Sequence, residues 1–128
     1  MVLLKNGSIE MISERRLLED AYAAFNARDI DAALAAMQVD VDWPNGMEGG
    51  SVYGHGGVRG YWRRQWDLID PHVEPLRLKA DEDGRTVVDV RQVVRDRNGN
   101  VMLDEIVQHV YLVEDGLVRS MEIRKPPA

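Results

Sequence analysis

Three histidines, His55, His72 and His109, are the side chains of this sequence best suited to moving a proton near neutral pH. An imidazole there can serve as general base or general acid on an enolisable or hydroxylated substrate. No metal is expected: none of the three is spaced i, i+2 or i, i+4 from another, and no carboxylate pairs with any of them along the chain. Cysteine is absent, which removes thiolate chemistry and disulfides. There is no Gly-x-Ser-x-Gly nucleophile turn. The glycines between positions 46 and 57 are scattered, with no Gly-x-Gly-x-x-Gly after a strand and no Lys-Ser/Thr pair, so no nucleotide cofactor is read.

The polar residues on apolar faces have two readings each. Gln92 either orients a catalytic group or is a core glutamine bonded to backbone, and Gln65 has the same pair of readings. Trp43, Trp62 and Trp66 with Tyr22, Tyr53 and Tyr61 can build an apolar pocket for a ring-bearing ligand. At helical spacing such residues also serve as plain core. His55 either lines a pocket mouth or caps a helix, and His72 is assigned nothing.

Composition narrows the partners. The 128 residues suit one domain. The net charge of −6 is spread along the chain, and with no basic stripe nucleic acid is excluded as a partner. Val2-Leu3-Leu4 is too short for a membrane span or signal core. The lack of cysteine points to a cytoplasmic setting.

The elements that would hold these residues are helices first and strands last, an α+β order. Residues 1–11 read as a flexible leader, broken by Asn6-Gly7, and 125–128 as a tail. Ser13 is a candidate N-cap for a helix to about Ala27, with Leu18, Tyr22 and Phe25 on one stripe. Arg28-Asp29 joins it tightly to a second helix carrying Ile30, Ala33, Leu34 and Met37. Val39, Val41 and Trp43 alternate into a strand ended by Pro44. A third helix covers Val58 to about Ile69, its apolar face carrying Val58, Tyr61, Trp62, Gln65, Trp66 and Ile69. A strand from His72 to Leu78 contains Pro75, which predicts an edge or a bulge. Strands 86–96 and 101–113 flank Asn98-Gly99, a strong hairpin signal. Glu114-Asp115-Gly116 turns into a final strand, Leu117–Arg124. Strand 101–113 is apolar on both faces, with Val107, Tyr111 and Val113 against Ile106, Val110 and Leu112. Both faces should be covered, one by helices and the other by a second copy, so a homodimer through the sheet is expected.

Several local words in this order resemble the nuclear transport factor two-like superfamily, its SnoaL-like branch most. They are Ala24-Phe25-Asn26-Ala27-Arg28-Asp29-Ile30-Asp31-Ala32, Val41-Asp42-Trp43-Pro44, the run Gly54 to Trp62 and the run His109 to Val118. The resemblance spans residues 12–124. It implies a cone, in which a strongly curved, mixed and mostly antiparallel sheet wraps the helices and encloses a pocket. Members differ widely in activity, so the fold alone does not give a function. Relatives with cyclase or isomerase activity place an acidic residue on the penultimate strand, and the matching position is His109. That implies His109 as the catalytic group, with Val107 and Tyr111 also facing the pocket. Gln108 takes the place of His109 if the strand parity is reversed. The positions that match the isomerase base and tyrosine hold Trp43 and, near the first helix, Ala21, so isomerase machinery of that type is not expected. The expected substrate-binding residues are Trp43, Gln92, Tyr111, Tyr22, Trp62, Tyr53 and His55. No cofactor is expected. Two functions follow: a cofactor-free acid–base enzyme of small apolar metabolites, or a non-catalytic binding or dimerisation module.

Overall fold

A computed structural model describes residues 2–127, with side chains from 11 to 127. The elements run α1 (Val2–Asn26), α2 (Ile30–Leu34), β1 (Met37–Pro44), β2 (Ser51–Tyr53), α3 (Gly54–Leu68), β3 (Asp70–Ala80), β4 (Thr86–Arg95), β5 (Val101–Glu114) and β6 (Leu117–Arg124). The six strands form one open mixed sheet in the order β2-β1-β6-β5-β4-β3. Only β1 and β6 are parallel; the other neighbours are antiparallel.

The helical half begins earlier than the sequence pattern predicts. Helix α1 runs through the stretch expected as a leader, apart from Met1, which lies outside the described residues, and Ser13 sits inside it rather than capping it. Asn6 and Gly7 cost helix stability, about 1 kcal/mol for the glycine, but without a proline nothing forces a break. Asp29 does cap α2, its carboxylate accepting from the Ala32 N–H at 3.2 Å. That helix stops at Leu34, and Met37 opens β1 instead of ending α2. Arg28 makes the tight link with a left-handed φ of 63°.

Two features in the glycine-rich stretch escape the sequence pattern. Ser51–Tyr53 forms a short edge strand against β1. Helix α3 then starts at Gly54, four residues before Val58. Gly54 has φ +72°, and a Cβ there would lie 3.0 Å from the Val39 carbonyl oxygen. Glycine is what lets the chain turn from strand to helix so close to β1.

The sheet half follows the pattern closely. Strand β3 is an edge strand, and its register against β4 shifts between Pro75 and Arg77. A proline without an N–H is tolerated at such a place. Further register shifts interrupt β4–β5 and β5–β6. Bulges of this kind bend strands, and the sheet wraps the helices. Asn26, the last residue of α1, donates to the Val73 carbonyl at 2.7 Å and accepts from the Val73 N–H at 3.0 Å. Its side chain thus ties the helix end to the edge strand.

The core lies between the helices and the concave face. Leu18, Val41, Val58, Val88 and Val90 are at most 1 % exposed. The convex face is partly self-covered: Val87 and Val110 pair across β4 and β5 and are each 1 % exposed within the single chain. Ile106 on the same face is 51 % exposed. Val110 is thus covered within the single chain, and Ile106 is not. No described helix is long and apolar enough to cross a membrane.

Candidate functional site

Side-chain parity on β5 decides what can act. Residues two apart share a face, and β5 turns Val107, His109 and Tyr111 towards the helices. Gln108 points the other way. Its amide donates to Asp89 at 2.9 Å and its oxygen accepts from Arg124 Nε at 3.0 Å, a polar link across β4, β5 and β6. His109, 5 % exposed, is left with the apolar side.

Helix α1 meets it there. The Tyr22 hydroxyl lies 2.9 Å from His109 Nδ1, and Tyr111 Oη lies 2.7 Å from Tyr22 Oη. The rings hold the same arrangement: Tyr22 stacks on the imidazole with centroids 5.8 Å apart and meets Tyr111 edge-on at 6.3 Å. All three residues are buried. His109 Nε2 has no protein partner among the described residues.

His109 lines a cavity of about 380 Å³. Trp43 from β1, Tyr61, Trp62 and Gln65 from α3, Phe25 from α1 and Met121 from β6 are among its walls. Among the described residues no Asp, Glu, Lys or Arg lines it. Trp62 packs edge-on against Trp43 and Phe25, with centroids at 5.8 and 5.2 Å. Pro44, Gly46, Gln92, Leu103, Met121 and Ile123 also border an adjoining cleft of about 700 Å³ that carries Asp42, Arg85, Glu105 and Glu122.

The electrostatics follow from dryness. Burial lowers the His109 pKa from the usual 6.5 to about 4, because a charged imidazolium is poorly solvated there. His109 is therefore neutral at pH 7. Burial also pushes the Tyr22 and Tyr111 hydroxyls well above the usual phenol range. All three groups are neutral donor–acceptors. Nothing charged is present to stabilise an ion.

Most of the side chains expected at the site meet there. His109, Tyr22, Tyr111, Trp43, Trp62 and Gln92 all line the cavity. Two do not. Tyr53 is 68 % exposed, on the outer edge strand. His55 is spent locally, its Nε2 2.9 Å from the Met37 carbonyl. Gln92 does not orient His109: it lies opposite Glu105, whereas His109 lies opposite Val88. Tyr22 takes that position, 87 residues away in sequence. Ala21 also lines the cavity, beside Tyr22, so the first helix does supply a hydroxyl. Trp66 lies behind the wall, stacked on Trp62 at 5.8 Å and beneath the Arg28 guanidinium at 5.0 Å. Its Nε1 and the Gln65 Oε1 are buried without protein partners.

The sequence and the fold match a known family. Residues 18–121 match the model of the SnoaL-like domain, and the chain belongs to that family. Among solved structures it is similar to TerC co-crystallised with polyporic acid, with 26 % identity, 89 % of this chain and 92 % of that one covered, and a TM-score of 0.78. It is similar in fold to a putative polyketide cyclase from Xanthomonas campestris pv. campestris, with 20 % identity, 88 % and 90 % covered, and a TM-score of 0.76. An LEH-like epoxide hydrolase of M. tuberculosis shares the fold at 20 % identity, with 89 % and 83 % covered and a TM-score of 0.73. No curated protein matches the sequence.

The buried imidazole makes stability depend on pH. The unfolded chain binds a proton at this residue near pH 6.5 and the folded chain near pH 4. Between those values the unfolded state holds more protons, so stability falls as pH drops from about 6.5 to about 4. The full effect is about 3 kcal/mol. Urea unfolding across that range should show the loss in the wild type and a flatter profile in His109→Gln. Equal slopes in both proteins would move the acid sensitivity to another group.

Proposed function

We propose that this protein is a cofactor-free enzyme that transfers protons on a small, apolar, ring-bearing molecule, with His109 as the group that touches the reacting atom. The supporting observation is His109 itself, which lines an aromatic cavity and whose Nε2 is buried without a protein partner among the described residues. Leaving such a group unmet costs about 1–3 kcal/mol, which a ligand that bonds to it recovers. The wall chemistry favours a neutral substrate. Flat faces of Trp43 and Trp62 suit a ring, and the few polar groups, Gln65, Gln92 and Tyr61, suit carbonyl or hydroxyl substituents. The co-crystal of TerC with polyporic acid supports a small-molecule ligand in this fold.

Isomerisation, cyclisation, dehydration and hydrolysis all need a proton removed at one atom and supplied at another. A neutral imidazole can do either. The alternative reading is a binding module of the same fold without turnover. What favours it is that no carboxylate lines the cavity to stabilise an imidazolium. We also propose a homodimer through the convex face, where Ile106 on β5 is exposed. Sedimentation velocity should give twice the chain mass in the wild type and a weaker dimer in Ile106→Lys. A wild-type monomer at tens of micromolar contradicts it.

The enzyme reading is tested by a thermal-shift screen of cyclic ketones, lactones and polyketide or terpenoid fragments, followed by product analysis of each stabilising compound. Expected are stabilising ligands, turnover of at least one, and a loss of 100-fold or more in His109→Ala with the ligand still bound, the usual scale for removing a general acid–base group. Ligands that bind without turnover leave the binding module. Unchanged turnover in a folded His109→Ala contradicts the assignment of His109.

A further inference from the structure

A buried histidine of lowered basicity is a poor base on its own, since taking a proton leaves a charge in a dry cavity. The same environment supplies a way round that. His109, Tyr22 and Tyr111 form an unbranched chain: Nδ1 to Tyr22 Oη at 2.9 Å, then Tyr22 Oη to Tyr111 Oη at 2.7 Å. Every member can donate or accept. The chain therefore has two directions. In one, Tyr111 donates to Tyr22 and Tyr22 donates to Nδ1, so the remaining imidazole proton sits on Nε2. In the other, Nδ1–H donates to Tyr22 and Tyr22 donates to Tyr111. Nε2 then carries a lone pair, and Tyr111 has a proton left to give.

Neither direction is strongly favoured by the protein. Each leaves one donor hydrogen without a protein partner, Nε2–H in the first and Tyr111 O–H in the second, and no charged residue lines the cavity to bias the choice. Both ends of the chain, His109 and Tyr111, line the same cavity.

We propose that His109, Tyr22 and Tyr111 form a reversible proton relay that lets the cavity take a proton at Nε2 and return one at Tyr111 Oη with no member carrying a net charge. This deepens the acid–base reading and rests on it. The step balances as follows. Nε2 accepts a proton from a substrate C–H or O–H. The Nδ1 proton passes to Tyr22 Oη, the Tyr22 proton passes to Tyr111 Oη, and the Tyr111 proton passes to a second substrate atom. The electron pair left by the first proton stays on the substrate, where it shifts a double bond or expels the newly protonated hydroxyl as water. No oxidant, reductant or further reactant is consumed. The fitting substrate is a cyclic molecule that presents a proton to be removed and, on the side of Tyr111, a carbonyl or hydroxyl oxygen to receive one. Tyr22 is a positioning residue that acts through His109, whereas Tyr111 touches substrate.

The relay can be read in the protein without a substrate. In the uniformly ¹⁵N-labelled wild type at pH 7, long-range ¹H–¹⁵N correlation should place both His109 ring nitrogens between their protonated and unprotonated limits. Saturating cyclohexanone, whose carbonyl accepts from Tyr111 in this scheme, should move Nε2 towards its unprotonated limit. Tyr111→Phe removes the far end of the chain and should change the populations. Tyr22→Phe cuts the chain and should also change the populations, so either folded variant suffices. A wild-type ring fixed in one tautomer overturns the relay, as does a ring whose populations are the same in a folded Tyr variant. Either result leaves His109 itself to be judged by the turnover screen, which keeps the failure of the relay apart from the failure of the enzyme reading.

Discussion

The contact on which the site depends is the 2.9 Å approach of Tyr22 to His109. It joins α1 to β5, elements far apart in the chain, through two buried side chains. Two buried polar groups that would each be costly alone satisfy one another. That leaves the second imidazole nitrogen buried and without a protein partner among the described residues. Were Tyr22 apolar, both nitrogens would need partners, and the cavity would have no defined polar pole.

Everything else holds that contact in place. Asn26 fastens the end of α1 to β3 through both backbone groups of Val73. Arg28 continues the fastening: it pairs with Asp70, donates to the Pro71 carbonyl at 2.7 Å, and lies over Phe25 and Trp66. On the opposite side Gln108 is bound to Asp89 and Arg124, so β5 cannot rotate its alternation without breaking a buried amide network. Position on the helix and parity on the strand are thus each secured by bonds outside the cavity, and the cavity is free to be apolar.

Much of this was legible from residue order. Period-two alternation, Asn98-Gly99 and Asp115-Gly116 mark the hairpins; Gly99 and Gly116 have φ +89° and +78°, and Asp115 has φ +54°. Pro75 foretells the irregular edge. What failed was local and weakly patterned. Ser51–Tyr53 is too short for any period, and the start of α3 is set by the closeness of Gly54 to the Val39 carbonyl, a tertiary fact. At the site, the resemblance to relatives points to His109, whereas a strand apolar on both faces leaves the choice between His109 and Gln108 open. Of the two readings of Gln92, orienting a catalytic group is the one that counting across neighbouring strands can reach; a helix residue 87 positions away is beyond it. Tyr22 was visible as an aromatic on an apolar stripe, but its hydroxyl contact belongs to the packing of α1 on the sheet.

The central claim is that His109 is a neutral imidazole at physiological pH, held so by burial. The most direct measurement is its own titration, followed through the ring ¹H and ¹³C shifts of the intact protein from pH 8 downwards. The account predicts flat shifts through neutrality and a midpoint near 4, reached only as the fold begins to weaken. A midpoint near 6.5, the value of a solvated histidine, would show that the imidazole is hydrated and charged in the working range, and would contradict the dry cavity from which the chemistry is argued.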